Sequence, residues 1–507
     1  MRTEKSILNV STNFFIYAFR SVMMFIVRTV FIKVLGEEYL GLDGLFTNIL
    51  LMLSITELGV SNAINFSLYE PLAKKDYKKV SSLMSFYKKA YKIIGTLVII
   101  LGLIIMLFLD EIVTTDIPDI NIYFIYLIYL FDTANLYFIS YKETLIIADQ
   151  NNYQLVKYNF ITYLAMYILQ IIALIVTHSF VLYLFIKIFV MLINRICINH
   201  FISKKYKEID FNSTEKVNKE DLKIIKTNIK GMFFHKIGYY CINGTDNIII
   251  SRFLSITAVG IYTNYLSLIT MTNTILSSLY KGITASFGNL IALENKKTQE
   301  QIFQKTNFAG HIIYSFVTSA FIVLINFFVT LWVGKNYLLN SSVVFVICLN
   351  FYIDGMRQSI DSIKDAAGVY NQDKYIPIIQ SIVNIIISVV LVQYIGMLGV
   401  VLGTLISNLV LPCWNRPYII YKYVFKTSPK NYYINYIKNF IVMLFTTGII
   451  LYIMNKLNLA MTLINFILSI IIFSVLFIAI YSIIYFKNEN YRFYIKLVLS
   501  KLKKATH

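Results

Sequence analysis

Charge is scarce in this chain. Asp, Glu, Lys and Arg together make up 14% of its 507 residues, while hydrophobic residues make up 57%. That balance excludes an ordinary globular protein. The four cysteines, Cys197, Cys241, Cys348 and Cys413, lie in or beside apolar stretches and form no CxxC pair, so neither a disulfide framework nor a zinc site is expected. The five histidines do not cluster, and no resident metal or cofactor is expected. There is no GxxxxGK[ST] loop for nucleotide binding, and no HExxH or GxSxG motif. The N-terminus shows no short apolar core followed by a small-residue cleavage site, so its first apolar segment is expected to remain as a helix.

Apolar segments of about 20 residues fill the chain instead, each long enough for a helix to cross a hydrocarbon layer about 30 Å thick. About fourteen spans are expected, near residues 11–34, 42–69, 91–109, 120–146, 155–176, 180–200, 229–252, 257–288, 308–332, 341–363, 376–394, 397–420, 438–455 and 462–486. The fold expected is all-α, a polytopic transmembrane helix bundle.

The net charge of +19 is distributed in alternate gaps. One set of gaps holds Lys74, Lys75, Lys78 and Lys79, then Lys204, Lys205, Lys216 and Lys219, then Lys422, Lys426 and Lys430, and finally Lys501, Lys503 and Lys504. The other set is short; Asp110–Asp119 carries Asp110, Glu111, Asp116 and Asp119 and no basic residue. By the positive-inside rule the basic side is cytoplasmic, and so are both termini. The positive charge thus reads as a topology signal and not as a nucleic-acid surface. None of the outward gaps is long enough for a catalytic domain.

The chain repeats itself weakly. Phe31-Ile32-Lys33-Val34-Leu35 with Gly41 recurs as Ile250-Ser251-Arg252-Phe253-Leu254 with Gly260, and Gln150-Asn151-Asn152-Tyr153 recurs as Gln372-Asp373-Lys374-Tyr375. A shift of about 220 residues implies two related six-helix lobes in the same orientation, pseudo-symmetric around a central cleft, with two further helices appended. The expected organisation is an N-terminal lobe at 1–200, a cytoplasmic linker at 201–228, a C-terminal lobe at 229–421, and two helices with a basic tail at 422–507.

Ionisable groups at membrane depth are costly and mark function or structural pairing. Arg20 and Arg28 lie in the first span, about 12 Å apart along the helix axis and about 80° apart around it, so both can line a cleft. A salt bridge to Glu57, midway along the second span, is the structural alternative. Lys187 and Arg195 fall in the sixth span, Lys236 in the seventh and Lys281 in the eighth. Arg195 and Lys281 can snorkel to the interface; Lys187 is deeper and can pair with Asp132. Asp354, Arg357 and Asp361 stand at spacings that let them satisfy one another on one helix face. Asn243-Gly244-Thr245-Asp246-Asn247 is expected to break the seventh span and offer oxygen ligands, with Asp246 as the ion-coupling carboxylate and Glu57 as a second candidate.

The run Glu38-Tyr39-Leu40-Gly41-Leu42-Asp43-Gly44-Leu45-Phe46, continuing through Glu57-Leu58-Gly59-Val60 to Tyr69-Glu70-Pro71-Leu72-Ala73, resembles the opening of polysaccharide repeat-unit flippases. These belong to the multidrug/oligosaccharidyl-lipid/polysaccharide (MOP) exporter superfamily. The resemblance implies translocation of an undecaprenyl-diphosphate-linked oligosaccharide between leaflets of a bacterial cytoplasmic membrane, by ion-coupled alternating access and without an enzymatic step. It implies cationic cleft residues, matched by Arg20 and Arg28 with Lys187, Lys236 and Lys281 as further substrate contacts, and Na⁺ or H⁺ as the coupling ion at Asp246. Membrane lipids, a polysaccharide polymerase and glycosyltransferases are the expected partners of a monomer. The lipid II flippase branch carries further arginines in its second and eighth helices; here the second span has none and the eighth has only Lys281. A small-molecule antiporter of the same superfamily and a polytopic polymerase or ligase are the rival readings. The Arg20/Arg28 pair counts against the first, and the short outward gaps count against the second.

Overall fold

The computed structural model describes residues 2–57, 60–113, 121–149, 151–369 and 372–496. Asp116 and Asp119 of the acidic gap, Gln150 of the repeat, Leu58 and Gly59, and the basic tail beyond residue 496 lie outside the described residues, as do the side chains of Lys236 and Lys281. Among the described residues every regular element is helical, which bears out the all-α expectation.

The chain divides into two compact units. The first comprises Met1–Asn264 with Pro377–Ile385, and the second Tyr265–Ile376 with Ile386–His507. The first unit holds α1 (Arg2–Leu35), α2 (Glu37–Leu53), α3 (Val60–Lys74), α4 (Tyr77–Met106), α5 (Leu109–Ile112), α6 (Ile122–Ile139), α7 (Glu143–Ala148), α8 (Val156–Thr177), α9 (Phe180–Lys205) and α10 (Lys219–Phe253). Helix α11 (Ile256–Leu293) begins in the first unit and continues into the second. The remainder are α12 (Lys296–Trp332), α13 (Ser341–Ala367), α14 (Ile376–Ile395), α15 (Met397–Val410), α16 (Pro412–Ile419), α17 (Lys430–Leu457) and α18 (Leu463–Tyr485).

Helix starts follow short polar residues whose side chains accept from an otherwise orphaned amide. Asp76 caps α4 by accepting from Lys79 N, Asn121 caps α6, Ser179 caps α9, Asn218 caps α10 and Asn295 caps α12. Gly368 closes α13 in the left-handed conformation at φ +66°, where a Cβ would be strained.

In the first unit α1 packs along α8, α4 along α6, and α10 against α2 and α3. In the second unit α12 is flanked by α13, α17 and α18. On α18 the buried residues Phe473, Phe477, Tyr481 and Tyr485 recur every four positions, one stripe of a helix. Its other faces expose Ile464, Ile471, Val475 and Ile478, which suits a helix standing in lipid. Tyr481 and Phe477 stack with centroids 4.1 Å apart, so the stripe is held by dispersion between rings.

Among the described residues ten helices are long and apolar enough to cross a membrane. The chain is therefore a multi-pass membrane protein. The expected spans at 11–34, 42–69, 229–252 and 257–288 are outside that set of ten. They coincide with α1, with α2 and α3, with α10 and with α11.

Two expectations about helix continuity are corrected. The seventh span is not broken: α10 runs uninterrupted through Asn243–Asn247. Its small and polar residues serve close packing instead. A Cβ on Gly244 would sit 2.3 Å from Met52 Cγ; Thr245 returns its hydroxyl to Cys241 O at 2.8 Å; Asn247 Nδ2 donates to Gly44 O at 3.3 Å. The interruption falls in the second span, where α2 ends at Leu53 and passes into a tight 3₁₀ turn, Ser54–Glu57, before α3 begins at Val60. Glu57 therefore stands at a helix break midway along that span.

The repeat read from the sequence has a physical counterpart. A Cβ on Gly41 would lie 2.0 Å from Ile256 O, and one on Gly260 would lie 2.2 Å from Glu37 O. Lys33 and Arg252 occupy the last turns of α1 and α10, just before these crossings. Glycine at both positions lets two helix backbones touch, which any side chain would prevent.

Candidate functional site

The embedded charges of the first unit gather around α1, α2, α6 and α9. Arg28 is the most constrained of them. Its Nε donates to Asn264 Oδ1 at 3.0 Å and its Nη2 to Thr263 Oγ1 at 3.2 Å, both on α11. Asn264 and Thr263 are buried, and Thr263 returns its own hydroxyl proton to Gly260 O. The guanidinium is thus oriented by neutral acceptors. An amide and a hydroxyl fix its geometry, while the Asp43 carboxylate acts on it through space. Gly44 makes the arrangement feasible, since a Cβ there would come within 2.7 Å of Thr263 Cγ2.

Arg20 is held differently. Its Cζ lies 4.4 Å from the ring centroid of Tyr163 on α8, with Tyr167 as a hydrogen-bonding neighbour. An aromatic face stabilises a cation without neutralising it. The two arginines therefore share a helix but not a partner.

Lys187 pairs with Asp132 at 3.5 Å, as its depth suggested. Arg195 does not snorkel. It is buried, and Nη2 reaches the other oxygen of the same carboxylate at 3.4 Å. Asp132 thus serves two cations at once. Lys187 also stands 5.5 Å from the ring centroid of Tyr129, whose hydroxyl donates to Asp43 on α2. Asp43 lies inside the quoted Gly41–Phe46 run, yet nothing in the sequence marked it as part of this cluster. Thr263 and Asn264 were likewise missed, because a neutral hydroxyl and amide carry no charge signal.

Glu57 accepts from Tyr91 OH at 3.1 Å. Asp246 accepts from Tyr262 OH at 3.3 Å, a contact between α10 and α11. Lys236 lies within α10 and Lys281 within α11.

The second unit sets its embedded charges in one-to-one pairs. The triad expected at Asp354, Arg357 and Asp361 is corrected. Arg357 pairs with Asp354 at 2.6 Å and turns its other nitrogen to Asn408 at 2.8 Å, while Asp361 takes Arg416 at 2.7 Å. Arg416 was out of reach of a one-helix reading because it comes from α16. Lys364 and Asp373 form a third pair, nearly closed to solvent. Among the described residues no group of His, Cys, Asp and Glu could hold a metal ion.

The sequence profile of the family described as polysaccharide biosynthesis protein matches residues 7–282. No protein of curated function matches the chain. Among solved structures, the fold resembles a lipid II flippase MurJ in an inward closed conformation, at 16% identity and a TM-score of 0.67 over 96% of this chain and 99% of that one. It also resembles an inward-facing multidrug resistance MATE family transporter of the MOP superfamily, at 13% identity and a TM-score of 0.63 over 79% of this chain and 94% of that one. A third is a MOP superfamily transporter from Pyrococcus furiosus, described as having a binding pocket of reverse polarity, at 12% identity and a TM-score of 0.52 over 84% of this chain and 97% of that one. At these identities the likeness is one of fold.

Proposed function

The chain belongs to the polysaccharide biosynthesis protein family, and from that premise we propose that it is a flippase for polyprenyl-diphosphate-linked oligosaccharide. It moves the repeat unit from the inner to the outer leaflet of a cytoplasmic membrane, with its basic side and both termini facing the cytoplasm. The observation that carries this reading is Arg28, embedded in α1 and hydrogen-bonded to the neutral Asn264 and Thr263, with the Asp43 carboxylate acting on it through space. A guanidinium held this way keeps its attraction for an anion, and its planar fork suits the oxygens of a diphosphate.

Arg20 supplies a second contact about 12 Å along the same helix, so the diphosphate meets them in succession. Lys187, Lys236 and Lys281 extend the positive path. The polyprenyl tail remains in lipid, and alternating access of the two halves carries the head group across. Asp246 is the candidate site for a coupling Na⁺ or H⁺, with Tyr262 as its hydroxyl partner, and Glu57 is the second candidate. No bond of the cargo is made or broken, so no enzymatic step is required.

The test is reconstitution in proteoliposomes with a lipid-linked oligosaccharide in one leaflet, followed by lectin or enzyme access from the opposite side. Transfer that needs Arg28 supports the reading. Transfer of small cationic compounds with no movement of the lipid-linked sugar would replace it with an antiporter.

A further inference from the structure

Asp43 has no task in the transport reading above, although it is a carboxylate that acts on Arg28. A glycine sets its place. Gly44 lies against Thr263, where a Cβ would come within 2.7 Å of Thr263 Cγ2, and Thr263 accepts from Arg28 Nη2. The residue before Gly44 on α2 is thereby brought near the guanidinium. Yet it does not close on it. Asp43 Oδ1 accepts from Tyr129 OH on α6, while the bonds of Arg28 go to Asn264 and Thr263.

Tyr129 is a firm tether. It is buried, and its ring stands edge-on to Phe46 of α2 with centroids 5.7 Å apart. Lys187 lies over the same ring, but its ammonium belongs to Asp132 at 3.5 Å. Arg28 has more to offer a loose carboxylate. A guanidinium carries five N–H donors, and Nε and Nη2 each commit one of them to Asn264 and Thr263. A carboxylate released by Tyr129 would turn to the donors that remain.

Charge gives the arrangement a purpose. A guanidinium away from bulk water holds a diphosphate strongly, and a site that conducts must bind weakly enough to let its cargo leave. A carboxylate held near by lowers the attraction without occupying the donors. A unit charge about 10 Å from the anion, at an effective dielectric constant of about 20, shifts affinity on the order of 10-fold.

Resting on the flippase reading of Arg28, we propose that Asp43 loosens the grip of Arg28 on a diphosphate so that the cargo is released, and that Tyr129 keeps Asp43 from closing on the guanidinium and shutting the cargo out.

The experiment titrates purified full-length protein in neutral detergent with undecaprenyl diphosphate by calorimetry, beside transfer of lipid-linked sugar in proteoliposomes. D43N should tighten binding by about 10-fold and slow turnover at saturating cargo by a similar factor. A carboxylate with a merely structural role would not give that combination. Y129F should weaken binding by about 3-fold or more, and should change nothing in the D43N background, because the tyrosine acts through the carboxylate. Unchanged or weakened binding in D43N overturns the proposal, and so does a Y129F effect that persists in D43N. R28A separates the two levels. If it weakens binding while D43N fails to tighten it, the flippase reading stands and Asp43 has no part in release; if R28A leaves binding untouched, both fall. Should D43N fail to insert, Y129F decides, since it keeps the ring: weaker binding supports the tether, and unchanged binding overturns it.

Discussion

The two units treat embedded charge in opposite ways. In the second, each carboxylate named above has its own cation: Asp354 with Arg357, Asp361 with Arg416, and Asp373 with Lys364. In the first, one carboxylate, Asp132, serves both Lys187 and Arg195, while Arg28 and Arg20 bond to or stack on neutral groups, with Asp43 acting on Arg28 through space. A one-to-one pair leaves neither partner's charge unmet and suits a fixed scaffold, most of all where, as at Lys364 and Asp373, it is closed to solvent. A cation oriented by an amide, a hydroxyl or a ring keeps an unmet attraction and suits a passing anion. The same intramembrane lysines and arginines thus have different meanings in the two halves, and the partner, not the depth, decides which.

The largest expected effect tests the closed pairs. Asp373→Asn removes the bonded carboxylate from Lys364 in a site closed to water, which should cost about 3–5 kcal/mol of stability. Thermal or denaturant unfolding in detergent would read this as a sharply lower midpoint. The double variant Lys364→Met with Asp373→Leu should recover most of the loss. If the double variant is as weak as the single one, the pair does more than neutralise charge.

Next comes Arg28. Removing a hydrogen bond to a charged group costs roughly 1.5–3 kcal/mol, so Arg28→Ala should slow transfer of the lipid-linked sugar by about 10- to 100-fold while inserted protein stays constant. Arg28→Lys keeps the charge without the fork and should fall between. An unfolding midpoint that drops as far as in Asp373→Asn, with transport unchanged per folded molecule, would erase the contrast between the units.

A smaller effect is expected at Asp246. Asp246→Asn should leave binding of the lipid-linked sugar intact and flatten the dependence of transport on an ion gradient, measured by imposing Na⁺ and H⁺ gradients separately across proteoliposomes. Full gradient dependence in the variant would reduce Asp246 to a tie between α10 and α11.

The smallest belongs to Lys187. Because Arg195 still neutralises Asp132, Lys187→Met should change stability by only about 1 kcal/mol, visible as a slight shift in the unfolding midpoint. A loss like that of Asp373→Asn would show that Arg195 cannot stand in.

Helix positions were legible because hydropathy over about 20 residues is a strong signal. The Lys187–Asp132 pair was legible because both groups lie too deep to reach water. Arg195 was misread, since its place near a helix end suggested the interface; the sequence does not show that α6 presents a carboxylate there. The polar run at Asn243–Asn247 was misread for a different reason. Glycine, threonine and asparagine accompany a broken helix and a close helix crossing alike, and only the neighbour, here Met52 and Gly44 on α2, distinguishes them. Asp43, Thr263 and Asn264 escaped notice because their roles depend on partners distant in the chain, 86 residues for Asp43 and Tyr129 and 236 for Asn264 and Arg28.

The crossing of α2 and α11 has a consequence for ancestry. Gly41 meets the backbone of Ile256, and Gly260 meets the backbone of Glu37. Under the shift that relates Gly41 to Gly260, Glu37 corresponds to Ile256, so the contact is reciprocal. Residue against residue in both directions is what a two-fold axis produces between copies of one surface. A half-length forerunner carrying one such glycine could have met a second copy of itself through this crossing, and any change at that position would have struck the contact twice.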